Sequence, residues 1–306
     1  MLSLFSQVND NTKKNDPGQD THSSSLEDAI LGRYACTRFQ RYDNRNETLE
    51  VASTSNPKIV NQARYALDLA RRAPSGFNIQ PYKVLLVYSP KYKEAMARYC
   101  VGHNAHRVRD SDCTAIFLAD RQVVQSFGAF RKLLRSQNNS GKTLTRKAIL
   151  KIQLLVAMFS SGFPLPKWIS GPISWAMRFI MRVLSWISRA YYPLPTLTSS
   201  EVWSQKNTML VAMSYLLACS SQNIATCPME GYTAWGIRQA LRIPRRYTIP
   251  LIVATGSPYI RSTDSSIKPN MSTDDTGISH GNGSISTPRF STEEMIYNDV
   301  FGKTSD

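Results

Sequence analysis

Residues Arg71–Tyr88 read RRAPSGFNIQPYKVLLVY, a turn-forming half followed by an apolar half. The second half, Tyr82–Tyr88, is short and rich in β-formers, the pattern of a buried strand. The first half sets Pro74, Ser75, Gly76 and Asn78 immediately before that strand. Gly76 lets the backbone approach another group closely, and Ser75 and Asn78 offer a hydroxyl and an amide beside a rigid element. Local chemistry alone leaves two readings: punctuation between a helix and a strand, or a turn shaped to hold a ligand.

Upstream, Pro57–Arg72 repeats Ile59, Val60, Ala63, Leu67 and Ala70 at helical spacing, so a helix ends where Ala73-Pro74 begins. Ser25 with Asp28 forms a capping box that starts a short helix reaching Gly32. Downstream, a helix over Pro90–Cys100 separates the strand from a second buried strand, Cys113–Ala119. A long helix over Glu201–Gln222, the turn TCPMEGY, a helical Thr233–Leu241 and a third core strand, TIPLIVATG, complete the pattern. Strands interleaved with helices predict an α/β or α+β domain over 25–306, with an insertion at 121–200. Residues 1–24 are polar and read as a disordered tail, and 261–286 as a flexible linker.

Composition narrows the function classes. The 306 residues are 42% hydrophobic, enough for a sizeable core. The 5 cysteines are odd in number, scattered and never spaced C-x-x-C, which argues against a disulfide framework or zinc site and for a reducing compartment. The 4 histidines do not fall at metal-ligand spacing. The N-terminal stretch is a poor secretory signal, so a cytoplasmic location is expected, with attachment to an intracellular membrane as the alternative. Net charge is +15, and residues 121–200 hold 12 Lys or Arg with no Asp or Glu.

Taken with its strand, the opening stretch resembles the A-P-S-x-x-N-x-Q-P-W-x-F element of the nitroreductase family, the FMN-dependent NAD(P)H oxidoreductases. Further elements follow in order. GRYACTRF (32–39) resembles the family's R-R-S-x-R-x-F, with Arg33 at the first Arg, Tyr34 at the second, Ala35 at the Ser and Thr37 at the later basic position. HNAHRVRDSDCTAIFLA (103–119) resembles the N-x-x-(K/R) element before a strand, with Asn104 and Arg107. TCPMEGYTAWGIRQALRIP (226–244) is similar to P-x-E-G-(F/Y) followed by a helix and L-G-I-P, and contains Pro228, Met229, Glu230 and Gly231. EVWSQKN places Asn207 where a Gln or Asn reaches across a dimer, and TPRF places Arg289 at the C-terminal basic element.

The resemblance implies a nitroreductase-like FMN-binding fold: a central mixed sheet flanked by helices, in an interlocked homodimer with flavin at the interface. Arg33 and Arg289 would anchor the phosphate. Asn78, Asn104 and Arg107 would address the ring and ribityl chain, and Pro228–Gly231 the N5 side, with Glu230 ordering that loop. The Pro74–Ser75 turn would touch the flavin of the other subunit. The implied activity is ping-pong transfer of two electrons from NAD(P)H to a nitroarene, quinone or similar acceptor, with no nucleophile or metal required. Thr37 in place of a cation implies a flavin harder to reduce. Reductive dehalogenation, flavin fragmentation, a flavin-binding remnant without turnover and a membrane-surface adaptor remain as alternatives.

The insertion lies outside the family's common core. Within WISGPISWAMRFIMRVLSWISRAYY, Arg178, Arg182 and Arg189 fall within about 40° of one another on a helix. Trp175 and Trp186 lie beside them, and Ile173, Ile180, Val183, Leu184 and Ile187 on the far side. Arg178 and Arg182 interrupt any run of the roughly 20 apolar residues needed to cross a bilayer. The segment reads either as a helical excursion packed over the dimer or the active site, or as a helix lying on an anionic membrane through 145–195. Its aromatics sit among aliphatics, so no nucleic-acid partner is expected.

Overall fold

The structure is a computed structural model that describes residues 25–41, 55–136, 146–160, 167–187, 197–259, 290–291, 295–297 and 299. The expected tail (1–24), linker (261–286) and Arg289 lie outside the described residues.

Helix α1 (Leu26–Gly32) carries the capping box: Ser25 Oγ accepts from Asp28 N–H at 3.1 Å, and Asp28 Oδ2 accepts from Ser25 N–H at 3.1 Å. Helix α2 (Pro57–Ala70) starts with Asn56 as cap and Pro57 in its first turn, where the missing N–H costs nothing. Then come β1 (Tyr82–Val87), α3 (Pro90–Ala97), α4 (Asn104–Asp110) and β2 (Cys113–Asp120). The insertion contributes α5 (Phe127–Ser136), α6 (Arg146–Phe159) and α7 (Lys167–Ile187). The chain returns through α8 (Ser200–Ser220), β3 (Ala225–Met229), α9 (Ala234–Ala240) and β4 (Tyr247–Gly256).

The strands form one sheet in the order β1-β2-β4-β3, and every pairing between them is antiparallel. The mixed sheet expected from the resemblance is corrected here: among the described residues the parallel component is a single bridge, Ala35 to Thr226. Strand β2 is buried along its whole length, and alternate residues serve two cores. Ile116 and Leu118 face α3, α4 and α9 with Met96, Val108 and Ile237. Ala115 and Phe117 face α2 and α8 with Ala66, Ala70 and Tyr215. The small residues Ala63, Ala66 and Ala70 bring α2 close to the sheet and α8, and helix, sheet and helix make three layers.

Two expected features change. TCPMEGY is not wholly a turn, because Ala225–Met229 pairs with β4 as an edge strand. Pro228 argues against a strand interior, yet an edge tolerates it because no neighbour needs its N–H. Asn104–Asp110, assigned to no element from the sequence, is a short helix in which only Val108 is buried. That helix caps one core with a single apolar side chain, too few for a periodic pattern. Lys93 is also buried and donates to the Ser111 carbonyl. Burial pushes its ammonium down to about 8 against the pull of nearby Asp112.

Candidate functional site

The opening turn is held from three sides. Ser75 Oγ accepts from Gln80 N–H at 3.0 Å, and Asn78 Oδ1 accepts from Gln80 Nε2 at 3.3 Å. Gly76 N–H donates to Asn207 Oδ1 at 2.7 Å. A Cβ on Gly76 would lie 2.7 Å from Trp203 Cζ2, so glycine is needed for close approach to α8. Left-handed backbone falls instead on Phe77 (φ 55°), Asn78 (φ 55°) and Gln80 (φ 51°). Asn takes that conformation readily, whereas Phe77 holds it because its surroundings leave no other choice. Those surroundings include α6, whose Phe159 ring lies 5.6 Å from the Phe77 ring. Ile79 is buried with Val123, Phe130 and Val156, so α5 and α6 roof the turn with a small core of their own. Pro74 and Asn78 stay exposed.

Asn207 does not reach outward. Its Oδ1 is used by Gly76 and its Nδ2 donates to Trp203 O at 2.7 Å, so it fastens the turn to α8 within one chain. Trp203 and Phe159 were not singled out in the sequence. Both are aromatic residues on helices remote in sequence from the turn, and no local pattern links them to it.

A second cluster gathers three separate segments. Asn104 Nδ2 donates to Gly231 O at 3.1 Å, Arg107 Nη1 donates to Asn104 Oδ1 at 2.7 Å, and Arg107 Nε donates to Thr37 O at 3.3 Å. A Cβ on Gly231 would lie 2.7 Å from Asn104 Nδ2. The Arg107 guanidinium, expected beside the ring, stands against the Thr37 carbonyl.

Met229 is buried in the core, and Pro228 is half-buried beside it. The Glu230 side chain is exposed. The loop is ordered by backbone, with Tyr232 N–H donating to Glu230 O at 2.9 Å and Val101 N–H to Gly231 O at 3.0 Å. Among the described residues the N–H groups of Glu230 and Gly231 have no protein acceptor.

Next to this cluster, half-buried Arg33 and exposed Tyr34 line a cavity of about 210 Å³ with Asp28, Asn223, Thr226 and Pro258. Arg33 makes no ion pair with a carboxylate among the described residues. Ala35 is exposed and bridges Thr226, and Cys36 N–H donates to Thr226 O at 2.8 Å. Burial pushes the Cys36 thiol up to about 11 and raises Cys227 as well. Neither supplies a thiolate near neutral pH, and among the described residues no cluster of His, Cys, Asp or Glu could hold a metal.

The two clusters lie far apart. The turn enters β1 at one edge of the sheet, and the Ala35 bridge sits on β3 at the other, three interstrand steps or roughly 14 Å away. Helix α8 runs between them. Asn207 near its start holds the turn, while Ser220 near its end donates to Ala29 O at 2.8 Å beside the Arg33 cavity. From Asn207 to Ser220 the helix rises roughly 20 Å.

Residues 186–257, which span α8, β3, α9 and β4, match the model of the nitroreductase family. The chain has the nitroreductase fold. A nitroreductase family protein from Streptococcus pneumoniae TIGR4 superposes with TM-score 0.51 at 18% identity, over 89% of this chain and 98% of that one. CLA-ER, an enone reductase of gut-bacterial fatty acid saturation, gives TM-score 0.52 at 14% identity, over 83% and 95%. A Staphylococcus epidermidis protein assigned as an NAD(P)H:FMN oxidoreductase gives 0.50 at 18%, over 81% and 94%. No curated protein matches the sequence. At these identities the likeness is one of fold.

Proposed function

We propose that this chain is a homodimeric FMN-dependent oxidoreductase. Each flavin would lie between the Arg33–Thr37, Asn104–Arg107 and Glu230–Gly231 cluster of one copy and the Pro74–Asn78 turn of the other. The observation that carries this reading is the separation of the two clusters at opposite edges of one sheet. Residues expected to grip one small molecule stand three strands apart within a chain, roughly 14 Å, and a second copy would bring them together. Helix α8 supports the dimer. Its inner side is buried through Val211, Tyr215 and Cys219, yet Val202, Met209, Leu210 and Met213 are exposed on the other side. A helix apolar on both sides is normally covered on both.

The residues present fit the cofactor. Arg33, which has no carboxylate partner among the described residues, suits a phosphate. The Glu230 and Gly231 N–H groups are donors for the polar edge of a ring, and Gly231 leaves the space that a Cβ would fill. When bound, FMN supplies transfer of two electrons from NAD(P)H to an electron-poor acceptor such as a nitroarene or quinone. Asn104 and the Thr37 carbonyl hold the Arg107 guanidinium in place, where its charge favours anionic character nearby. The raised Cys36 and Cys227 thiols add no opposing negative charge.

Purified protein is expected to be yellow, dimeric and loaded with about one FMN per chain, and to bleach on NAD(P)H addition without oxygen. A colourless monomer that takes up no added FMN would overturn the proposal.

A further inference from the structure

Helix α7 is built inside out. At 100° per residue, Ser174, Met177, Met181 and Ser185 share one side and are buried or half-buried, and half-buried Arg178 stands at the edge of that side toward Arg182. The remaining arc carries Trp175, Phe179, Ile180, Leu184, Trp186 and Ile187, each 45–71% exposed. Trp175 and Phe179 stack with centroids 5.6 Å apart and planes 8° off parallel. The side with two serines and two methionines is the covered one, and the side with the aromatic and aliphatic residues is exposed. A surface helix normally shows the reverse, and a contiguous apolar face of this kind marks an interaction site.

Charge decides what covers it. The whole stretch 121–200 holds 12 Lys or Arg and no carboxylate. Arg182 is exposed on the apolar arc beside Trp175 and Trp186, and Arg178 flanks it. On α6, Lys147, Leu150, Lys151 and Leu154 are all exposed at helical spacing, so basic and apolar groups are mixed there too. A second copy seated face to face on α7 would bring two acid-free basic surfaces together. A nucleic acid would leave the aliphatic arc uncovered. No helix among the described residues is long and apolar enough to cross a membrane. A helix with Trp and aliphatics on one arc and arginine at its rim suits the boundary between headgroups and acyl chains.

We propose that α7 docks this protein onto an anionic lipid bilayer, with Trp175, Phe179 and Trp186 entering the interface and Arg178 and Arg182 bearing on acidic headgroups. This inference is independent of the flavin reading.

Full-length protein is co-sedimented with vesicles of pure phosphatidylcholine and of phosphatidylcholine:phosphatidylserine at a ratio of about 7:3. Each basic residue at an anionic surface is worth about a fivefold gain in binding, so Arg178 and Arg182 alone predict a preference on the order of twentyfold. That preference should fall as salt shortens the Debye length, and tryptophan emission should shift to the blue on binding. The triple variant Trp175→Ser, Phe179→Ser, Trp186→Ser should keep its melting temperature and lose vesicle binding. Equal binding or none to the two vesicle types by the wild-type protein overturns the proposal, whether or not the variant folds. So does a triple variant that becomes monomeric by light scattering from a dimeric wild type, because the face would then belong to a second copy.

Discussion

Helices α7 and α8 are both 21 residues long and both rich in apolar side chains, yet the fold uses them in opposite ways. Helix α8 buries Val211, Ala212, Tyr215, Leu216 and Cys219 against the sheet, and its buried polar groups all find partners. Tyr215 Oη pairs with Thr255 Oγ1 at 2.8 Å, Thr208 Oγ1 donates to Ser204 O at 2.8 Å, and Asn207 is used at both ends. Helix α7 turns Ser174 and Ser185 inward and Trp175 and Trp186 outward. Composition is similar, and the environment differs. A helix completed by its own chain pays for polar groups with hydrogen bonds, whereas one completed by something else leaves its apolar groups uncovered.

The contrast is most easily broken at Tyr215. Its ring lies 5.8 Å from Phe117 and is fully buried, so Tyr215→Ala should cost about 3–5 kcal/mol and lower the urea midpoint strongly. A loss under about 1 kcal/mol would mean that α8 is not the central packing element. Near the start of the same helix, Gly76→Ala drives a methyl into Trp203 and should destabilise by about 1–3 kcal/mol. FMN occupancy should fall with it, measured by absorbance after gel filtration, if the turn serves the partner's site.

Buried polar groups elsewhere give a pH-dependent check on the same rule. Folded Lys93 releases its proton near pH 8, while the unfolded chain holds that proton to about 10.5. Raising pH through this window therefore favours the folded state, because the unfolded state binds more protons there. The stability of wild type relative to Lys93→Met should rise from pH 8 to 10.5, as read by denaturant titration, and a flat difference would contradict the burial of a charged group. The smallest effect belongs to α7. Trp186→Ala should change stability by no more than about 0.5 kcal/mol in dilute solution, since the side chain is 71% exposed. A loss of several kcal/mol would show that the face is already covered.

Much of the fold was legible because each element announces itself over a few consecutive residues. The capping box at Ser25 and Asp28, the apolar repeat of α2, the runs of β1, β2 and β4 and the length of α8 all emerge near their expected limits. Strand β3 escaped because Pro228 is a turn signal in isolation, and only its place at the sheet edge makes it acceptable. Helix α4 escaped because one buried Val108 cannot make a period. Of the expected site residues, Thr37, Asn104, Arg107 and Gly231 converge, and Gly76 meets Asn207. Met229 packs inward, and Glu230 leaves the ordering of its loop to the backbone.

The sequence by itself determined the local grammar: where helices and strands begin, which residues could pair with a phosphate or a ring, and that one stretch carries cations without acids. Only the tertiary structure decided that Trp203 sets the need for glycine at position 76, and that Arg107 donates to the Thr37 carbonyl. It alone placed the two halves of the candidate site at opposite edges of the sheet and turned the apolar arc of α7 outward. The physical reason is range. Capping and periodicity act within a few residues, whereas close approach, charge placement and burial depend on which distant segments the packed sheet brings side by side.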